Sequence, residues 1–328
     1  MKLFTSDNWD GFGKRTSNSS RQVFEMNLEE LMAKLYGRRP LRMKLMSFGH
    51  TNQVYSVTFP HEQIMLRTNH KPGILEFTAK NMEILSSLGL PVPKVIHHDV
   101  SLEKVPYAYM ILERFPGQDL RYELEGMTHE QLAVLAGQII SYERKVAELP
   151  KGKGFGWVPI GEQGPFSSWA QIIERNLENH LGNITDDVSS EAVNQLQVIK
   201  QHYEPYLNQV EPVCFLDDLT IKNVIVHEGK LQGIVDFDWV CYGDPLYMIA
   251  LTQTAVVSDI GDQGMPYVEE LCRQWGADQE LRKLIDFYSV IHALQFIGFH
   301  KREKNDVCMQ RVLSFIIDKI NSHTNRTA

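Results

Sequence analysis

The chain has 328 residues, a formal net charge of −8 at pH 7, and 43% hydrophobic and 23% charged residues. This composition is ordinary for a globular protein, and the length is sufficient for two regions that each have a core. The acidic balance argues weakly against a nucleic-acid partner and weakly for a cationic small substrate, and it is equally consistent with solubility alone. No uninterrupted apolar stretch of about 18 residues is present, so no membrane-spanning helix and no membrane partner are expected.

The cysteines are scattered through the chain and form no C-x-x-C pair, which argues against a zinc site. They are Cys214, Cys241, Cys272 and Cys308. The first residues, MKLFTSDNWDGFGKR, contain no apolar run of the signal-peptide type. Both features favour a reducing compartment, and we predict a cytoplasmic protein.

The N-terminal part begins without a recognisable structure. Residues 1–24 are rich in Ser, Asn, Gly and Arg and lack periodicity, which predicts a loosely held lead-in. A capping pattern over residues 27–30 then begins a short helix that Gly37 ends. Alternating side chains predict strands at 42–47 and 54–59.

The turn between these two strands has the sequence F-G-H-T-N-Q at residues 48–53. Taken alone it is an ordinary hairpin turn, although a small glycine-bearing turn also lets backbone N–H groups approach phosphates. It contains no G-K-[ST] sequence, so it is not a Walker A loop. The next predicted strand ends at Arg67, which is either a surface cation on an edge strand or a bidentate phosphate ligand.

A helix is predicted from residue 72 to about residue 88, where Gly89 and Pro91 end it. Strands follow at 95–96 and 107–112, and the second of them runs into the turn sequence E-R-F-P-G. Strand patterns predominate up to this turn, near residue 116.

Beyond that turn the pattern is mainly helical. Helices are predicted at about 128–149, 168–180, 190–206, 266–276, 278–299 and 307–322. Strands first and helices later predict an α+β protein with a small antiparallel sheet lobe and a larger, mainly helical lobe. The predicted divisions are the lead-in at 1–24, the small lobe at 25–115 and the large lobe at 116–328.

The chemically informative stretch of the large lobe is residues 213–245. Asp218 stands on a loop, and Asn223 follows it by five residues. Apolar residues at 224–226 and 231–235 predict two strands joined by a turn, and the second strand ends in Asp236. A hairpin of this length brings Asn223 and Asp236 close together.

This ordered set suits phosphoryl transfer. The reaction uses Mg²⁺ to neutralise phosphate charge and a carboxylate to accept the proton of the attacking hydroxyl. Mg²⁺ prefers oxygen ligands, usually one or two protein groups together with phosphates and water. Acidic and Asn residues singly populate turns, but the set, with apolar strands between its members, favours a metal-phosphate site.

The segment resembles the catalytic and metal-binding segments of the aminoglycoside phosphotransferase family, which includes choline kinases and has the protein-kinase-like fold. Its signature is H-G-D-x-x-x-x-N, a hairpin, and then an Asp. The resemblance implies that Asp218 is the catalytic base, that Asn223 and Asp236 bind Mg²⁺, and that the Asp of Gly243-Asp244-Pro245 is structural. Leu216 and Asp217 stand where the family has His and Gly. The His mainly braces the loop, so this departure affects loop geometry more than chemistry.

The same resemblance extends to the small lobe, where Gly49, Asn52, Val54 and Tyr55 match a short G-x-x-N-x-V-Y nucleotide loop. It implies that Gly49, Asn52 and Arg67 contact phosphates. It also implies that the E-R-F-P-G turn is the hinge between the lobes, with the lobe boundary near residue 116, and that the carbonyl of Glu113 and the N–H of Phe115 bind adenine there. The family pairs its strand cation with a helix Glu. An ungapped count places Thr78 there, and Glu76 is preferred if the helix start shifts, with Glu83 nearby.

The resemblance implies transfer of the γ-phosphoryl group of ATP or GTP to a hydroxyl of a small molecule. Family acceptors include antibiotics, choline, homoserine, methylthioribose and fructosamines, and the sequence does not select among them. One alternative is a catalytically weak, nucleotide-sensing binding protein, because the signature His and the helix Glu are replaced. A protein-substrate kinase is less favoured, since no A-P-E-type segment follows Asp236.

Several isolated residues allow two readings. The histidines lack ligand spacing, which favours packed or solvated side chains over metal or acid-base roles; they are His97, His98, His292 and His300. Trp157 and Trp169 belong either to a substrate pocket or to the core.

A solvated face is favoured over an acceptor site for four acidic residues, which are Asp259, Asp262, Glu269 and Glu270. Asp238 is read as a structural acceptor rather than a second metal contact, and Lys222 faces either solvent or the transferred phosphate.

Overall fold

A computed structural model describes residues 28–46 and 52–324 of the chain. The chain divides into two compact units between Phe115 and Pro116. The first contains the described residues up to Ile84 together with Val92–Phe115, and the second contains Leu85–Pro91 and the described residues from Pro116 onward.

The small lobe was predicted to comprise residues 25–115, but the segment Leu85–Pro91 groups with the second unit. Its backbone carbonyls explain this. The Leu88 carbonyl accepts a hydrogen bond of 3.2 Å from Lys145 Nζ, and the Pro91 carbonyl accepts one of 2.9 Å from the Ile234 N–H.

The first unit is built on a five-stranded antiparallel sheet with the order β1-β2-β3-β5-β4. Its strands are β1 (Arg42–Leu45), β2 (Gln53–Thr58), β3 (Gln63–Asn69), β4 (Val95–Asp99) and β5 (Ala108–Glu113). The helices are α1, over residues 28–36, and α2 (Pro72–Ser87). β3 is the central strand, so Arg67 does not lie on an edge strand.

The core of this unit lies between α1 and one face of the sheet. Leu28 and Met32 of α1 are fully buried. They share a cluster with alternating residues of the strands, among them Tyr55, Val57, Leu66, Tyr109 and Ile111. Alternation of this kind presents every second side chain to the same face of the sheet.

The second unit combines two small sheets with a set of helices. The sheets have the orders β10-β9-β6 and β7-β11-β8, and all neighbouring strands are antiparallel. The strands are β6 (Gln118–Asp119), β7 (Gly156–Val158), β8 (Val213–Phe215), β9 (Val224–His227), β10 (Lys230–Ile234) and β11 (Val240–Gly243). The helices are α3 (His129–Ala147), α4 (Trp169–His180), α5 (Ser190–Leu207), α6 (Leu246–Asp259), α7 (Met265–Trp275), α8 (Gln279–Glu303) and α9 (Asp306–Thr324).

Helix α6 was not predicted from the sequence, and the reason is its surroundings. Every residue from Leu246 to Ser258 is buried. A helix that is covered on all sides has no apolar stripe, and therefore no period of 3.6 residues to detect. α6 packs against α7, α8 and α9. Within the described ranges, no helix is both long enough and apolar enough to cross a membrane.

Candidate active site

The residues predicted to be catalytic lie on a loop and on the hairpin that follows it. The loop, residues 216–223, connects β8 to β9, and the hairpin is β9 and β10. Glu228 and Gly229 form its turn with φ angles of 51° and 72°, and positive φ at both positions is typical of a two-residue type I′ turn. The turn closes between the paired residues His227 and Lys230, which sets the strand register.

The far end of this hairpin brings the two predicted metal ligands together. The last strand pair is Val224 and Ile234. One step beyond it, the Val235 N–H donates a hydrogen bond of 2.9 Å to the Asn223 carbonyl. Asp236 is the next residue, so the backbones of Asn223 and Asp236 are neighbours at the same end of the hairpin.

Hydrogen bonds inside the loop orient Asn223 and Asp218. The Asn223 side-chain nitrogen donates to the Asp218 carbonyl at 2.9 Å, and the Thr220 hydroxyl donates to Asp218 Oδ1 at 3.2 Å. A backbone carbonyl can only accept, so the Asn223 amide oxygen points away from it and is available to another partner. Asp218 and Asn223 are both half-buried, and solvent reaches them.

Asp236 adopts a backbone conformation that is rare for its type. Its φ angle is 71°, in the left-handed region that costs a residue with a side chain about 1 kcal/mol or more. The side chain is half-buried, whereas the following Phe237 and Asp238 are 3% and 2% exposed. The chain therefore turns at Asp236 before it continues into the interior.

The donor set at this end of the hairpin fits Mg²⁺. It offers an amide oxygen and a carboxylate, which are hard oxygen ligands. In the parts of the chain that the structure describes, no group of three or more His, Cys, Asp or Glu side chains forms a metal-binding cluster. Mg²⁺ sites usually use one or two protein ligands and take the others from phosphates and water, which an amide oxygen and a carboxylate would satisfy.

Glu143 holds the backbone at the start of the loop by accepting a hydrogen bond. Both of its carboxylate oxygens lie 3.2 Å from the Leu216 N–H, which donates to them. Only 1% of Glu143 is exposed, and burial raises its pKa well above the usual range. The Leu216 N–H opposes that pKa shift and the negative charge of Asp217 adds to it. The sequence did contain a signal, because Glu143 falls on the apolar stripe of α3 with Leu132, Leu135, Ile139, Ile140 and Val146.

Asp217 is anchored by Trp157. The indole N–H of Trp157 donates to Asp217 Oδ2 at 2.6 Å, and Asp217 is 3% exposed. Trp157 lies on β7, opposite Cys241 of β11. The other tryptophan, Trp169, is fully buried and donates to the Tyr288 hydroxyl at 2.9 Å, so it belongs to the core.

The predicted nucleotide residues of the first unit lie on β2, β3 and the loop before them. Gly49 lies outside the described residues. Asn52 is 9% exposed, and its side-chain oxygen accepts a hydrogen bond of 2.8 Å from Asn69. Arg67 is 6% exposed, between Val54 and Met110 on the neighbouring strands.

The choice of Glu76 as the partner of Arg67 is wrong. Glu76 forms an ion pair of 3.0 Å with Lys80, and both side chains are at least half exposed. Glu83 is exposed as well, whereas Thr78 is fully buried and donates to the Ile74 carbonyl at 2.8 Å. Helix α2 therefore turns neutral polar residues inward and its carboxylates outward.

Glu113 and Phe115, the predicted adenine contacts, stand at the end of β5 and just beyond it. The Glu113 N–H donates to the Lys94 carbonyl at 2.9 Å. The Glu113 side chain is exposed and Phe115 is half-buried.

Residues 43–287, about three quarters of the chain, match the phosphotransferase enzyme family. The chain belongs to this family. None of the curated proteins matches it in sequence.

Solved structures similar to this phosphotransferase are known. A thermostable mutant of the aminoglycoside phosphotransferase APH(4)-Ia in its apo form has 17% identity, with 90% of this chain and 99% of that chain covered and a TM-score of 0.65. The GDP and kanamycin complex of APH(2")-IIia has 14% identity, coverages of 91% and 99%, and a TM-score of 0.67. A protein from Haemophilus somnus 129PT assigned as a fructosamine-3-kinase has 13% identity, coverages of 92% and 99%, and a TM-score of 0.59. These likenesses establish the protein-kinase-like fold with a small sheet lobe and a larger helical lobe.

Asp244 of this phosphotransferase is a structural carboxylate. Its Oδ1 accepts from the Leu246 N–H at 3.0 Å, and its Oδ2 accepts from the Tyr206 and Tyr288 hydroxyls at 2.9 Å each. Burial raises the pKa of Asp244, and the three donors oppose that shift because they stabilise the ionised form.

The acidic residues considered for a cationic acceptor mostly pair with the protein's own cations. Asp259 contacts Lys222 at 2.7 Å and Arg121 at 3.7 Å. The Glu269–Arg282 and Glu270–Arg273 pairs are each 2.6 Å long, and Asp262 is exposed. Asp262 and the exposed side chain of Glu269 fit a solvated face, whereas the side chain of Asp259 is only 12% exposed and does not. The Asp259 pair gives Lys222 a carboxylate partner in the folded protein.

The isolated histidines of the phosphotransferase are packed or solvated, as the sequence indicated. His292 is buried against Tyr247, with ring centroids 3.9 Å apart, and burial lowers its pKa to about 3. His300 contacts the Ser258 hydroxyl at 2.8 Å in the interior, His97 contacts the Tyr109 hydroxyl at 3.2 Å, and His98 is exposed.

Proposed function

We propose that the chain is a Mg²⁺-dependent small-molecule kinase, which transfers the γ-phosphoryl group of ATP or GTP to a hydroxyl of its acceptor. The observation that carries the proposal is the loop geometry. The Asn223 side chain bonds to the Asp218 carbonyl at 2.9 Å, and the hairpin brings Asp236 next to Asn223. Membership in a phosphotransferase family supports the reaction class.

Asp218 accepts the proton of the attacking hydroxyl in this proposal. Asp218 is half-buried rather than buried, and the Thr220 hydroxyl bonded to Oδ1 orients its carboxylate. Asn223 and Asp236 would hold Mg²⁺, which when bound neutralises phosphate charge. The side-chain nitrogen of Asn223 donates to the Asp218 carbonyl. The side-chain oxygen is therefore the atom that would bind the metal.

The proposed nucleotide contacts belong to the first unit. Arg67 and the loop that contains Gly49 and Asn52 contact the phosphates, and the Glu113 carbonyl and Phe115 N–H bind the base. Arg67 lies on the central strand and is 6% exposed, and its guanidinium can bind a phosphate in bidentate fashion. Similar proteins have been crystallised with ADP and hygromycin B or with GDP and kanamycin, which supports a nucleoside triphosphate donor and a small hydroxyl-bearing acceptor. The four cysteines are free thiols, which supports a cytoplasmic setting.

Thermal unfolding with ATP or GTP, with and without Mg²⁺, tests the nucleotide-metal site. A ligand at about 100 times its Kd adds roughly 2.7 kcal/mol of stability, which raises the Tm by several degrees. We expect a Mg²⁺-dependent rise in the wild type that Asp236→Asn loses. Asp262→Asn makes the same charge change on an exposed residue and should keep the rise. The absence of a rise with either nucleotide would contradict the proposal.

Turnover with a panel of aminoalcohols, sugars and aminoglycosides then identifies the acceptor. The same panel separates the kinase from a nucleotide-sensing binding protein, which the replacement of the signature His by Leu216 brings into consideration. Mg²⁺-dependent nucleotide binding without turnover on the panel favours the sensor. Turnover that depends on Asp218 favours the kinase.

A further inference from the structure

The loop that contains Asp218 is held at three consecutive residues, the first two by distant parts of the second unit and the third by a residue of the loop itself. The Leu216 N–H bonds to Glu143 of α3, the Asp217 side chain bonds to Trp157 of β7, and the Asp218 carbonyl bonds to the Asn223 side chain. We infer that Trp157 and Asp217 form a positioning pair, which fixes the backbone of the loop so that Asp218 presents its carboxylate to the acceptor. This inference rests on the proposed function.

The contact between Trp157 and Asp217 is short. The distance of 2.6 Å from Nε1 to Oδ2 is slightly shorter than the usual range of about 2.7–3.2 Å for N–H···O hydrogen bonds. Asp217 is 3% exposed, and a carboxylate so deeply buried needs hydrogen-bond donors to remain in place. The contact thus holds Asp217 in a defined position in the interior.

This contact can position the loop because its donor, Trp157, lies outside the loop. Trp157 is 60 residues away in sequence, and its strand is paired with β11, which is in turn paired with β8. β8 leads directly into the loop. The indole and the start of the loop are therefore parts of one three-stranded sheet, and the Trp157–Asp217 bond ties the loop to that sheet a second time.

The side chains of residues 216 and 217 have different roles. Leu216 is 4% exposed and has no polar side-chain atom, so its side chain contributes packing and its N–H is satisfied by Glu143. Asp217 contributes the polar anchor. A glycine at 217 would have no side chain with which to reach Trp157, so this anchor belongs to this chain's own pair of residues.

Steady-state kinetics of the full chain test the inference. Trp157→Phe removes the N–H and keeps a ring, and Asp217→Ala removes the acceptor. We expect each to lower kcat about 10- to 100-fold, the range expected when a catalytic group is misplaced by about 1 Å. The KM values for nucleotide and acceptor should be unchanged. Asp217→Asn retains an acceptor oxygen and should recover much of the rate, and Trp275→Phe, at another half-buried tryptophan, should have no effect.

The double variant measures the coupling between the two residues. If they act as one pair, Trp157→Phe with Asp217→Ala is no slower than the slower single variant. Multiplying effects would overturn the inference, and so would a rise in acceptor KM with unchanged kcat, since Trp157 would then be a contact residue. Full kcat in both single variants would overturn it and leave the kinase proposal standing. A wild type without turnover on the panel would remove the kinase proposal and this inference together.

An NMR readout tests the Trp157–Asp217 bond independently of enzymatic activity. The chain has five tryptophans, and the indole N–H resonance of Trp157 is the one lost in Trp157→Phe. Since a short bond to a carboxylate moves this proton downfield, Asp217→Ala should move it upfield and leave the others in place. An unchanged resonance would show that the bond is absent in solution and would overturn the inference. If Asp217→Ala does not fold, Asp217→Asn gives the same comparison with a smaller shift.

Discussion

The side-chain nitrogen of Asn223 donates a hydrogen bond of 2.9 Å to the backbone carbonyl of Asp218. The proposed base and one proposed metal ligand are thus tied to each other within a loop of a few residues. The Thr220 carbonyl, which accepts from the Asn223 N–H at 3.0 Å, closes the same turn. A change of the Asn223 side chain should therefore affect the placement of Asp218, whereas a change of the Asp218 side chain leaves the accepting carbonyl in place.

Replacement of Asp218 by Asn should abolish proton acceptance while nearly preserving the shape of the side chain. We expect kcat to fall by about 10²- to 10⁴-fold, the range for loss of a general base. The Mg²⁺-dependent rise in Tm with nucleotide should survive, because Asp218 is not a proposed ligand. Asp262→Asn is the matched control. Substantial turnover by Asp218→Asn would show that another group is the base.

Replacement of Asn223 by Asp separates its two roles. A carboxylate is a good Mg²⁺ ligand, but it cannot donate to the Asp218 carbonyl, and two acceptors would then face each other. We expect the Mg²⁺ concentration for half-maximal rate to stay the same or fall. kcat should decrease about 10- to 100-fold, since an unsatisfied group costs about 1–3 kcal/mol. Mg²⁺ titrations of the rate give both quantities. An unchanged kcat would mean that the bond to Asp218 has no part in the reaction.

The sequence predicts the catalytic hairpin well because its signals are local. Strands predicted at 224–226 and 231–235 are observed as Val224–His227 and Lys230–Ile234. Apolar runs, turn residues and the motif spacing all lie within one segment of the chain. The helix predicted from 128 to about 149 is observed as His129–Ala147, because the Thr128 capping box with Gln131 marks its start.

The hydrogen bonds that hold the loop from outside were not predicted, because each of them joins residues that are far apart in the sequence. Trp157 and Asp217 are 60 residues apart, and Glu143 and Leu216 are 73 residues apart. No spacing rule links such pairs. A carboxylate on the apolar stripe of α3 is visible in the sequence, but its partner, a backbone N–H, leaves no trace in the residue types.

The backbone at Asp236 provides a test of strain at the proposed metal site. Its φ angle of 71° favours glycine over alanine, because only glycine lacks the Cβ that clashes in this region. We expect Asp236→Gly to unfold with a free energy about 1 kcal/mol higher than that of Asp236→Ala. Both variants should lose the Mg²⁺-dependent stabilisation by nucleotide.

Urea unfolding of the two variants gives this difference directly. Ser141, exposed in the middle of α3, provides the reversed control. Ser141→Ala should be more stable than Ser141→Gly by about 1 kcal/mol, the difference in helix propensity. If Asp236→Ala were as stable as Asp236→Gly, the left-handed conformation at residue 236 would not exist in solution.

The buried carboxylate of Glu143 makes stability depend on pH. Its pKa in the folded protein is raised well above the ordinary value of 4.5, mainly by burial. Below pH 4.5 the folded and unfolded chains both carry the proton. As the pH rises above 4.5, the unfolded chain loses the proton first, so the unfolded state is favoured and stability falls. The fall continues until the raised pKa has been passed.

Glu143→Gln removes this titration and keeps an oxygen that can accept from the Leu216 N–H. The free energy of unfolding of the wild type minus that of Glu143→Gln should therefore decrease as the pH rises from 4.5, by up to about 1.4 kcal/mol per pH unit. Urea unfolding between pH 4 and 8 measures it. Glu148→Gln, at an exposed position after the same helix, should give a difference that is nearly independent of pH. Two outcomes would contradict the prediction: parallel stability–pH curves for wild type and Glu143→Gln, or a wild type that gains stability relative to the variant as the pH rises. Either would show that Glu143 is not held in a desolvated site next to the loop.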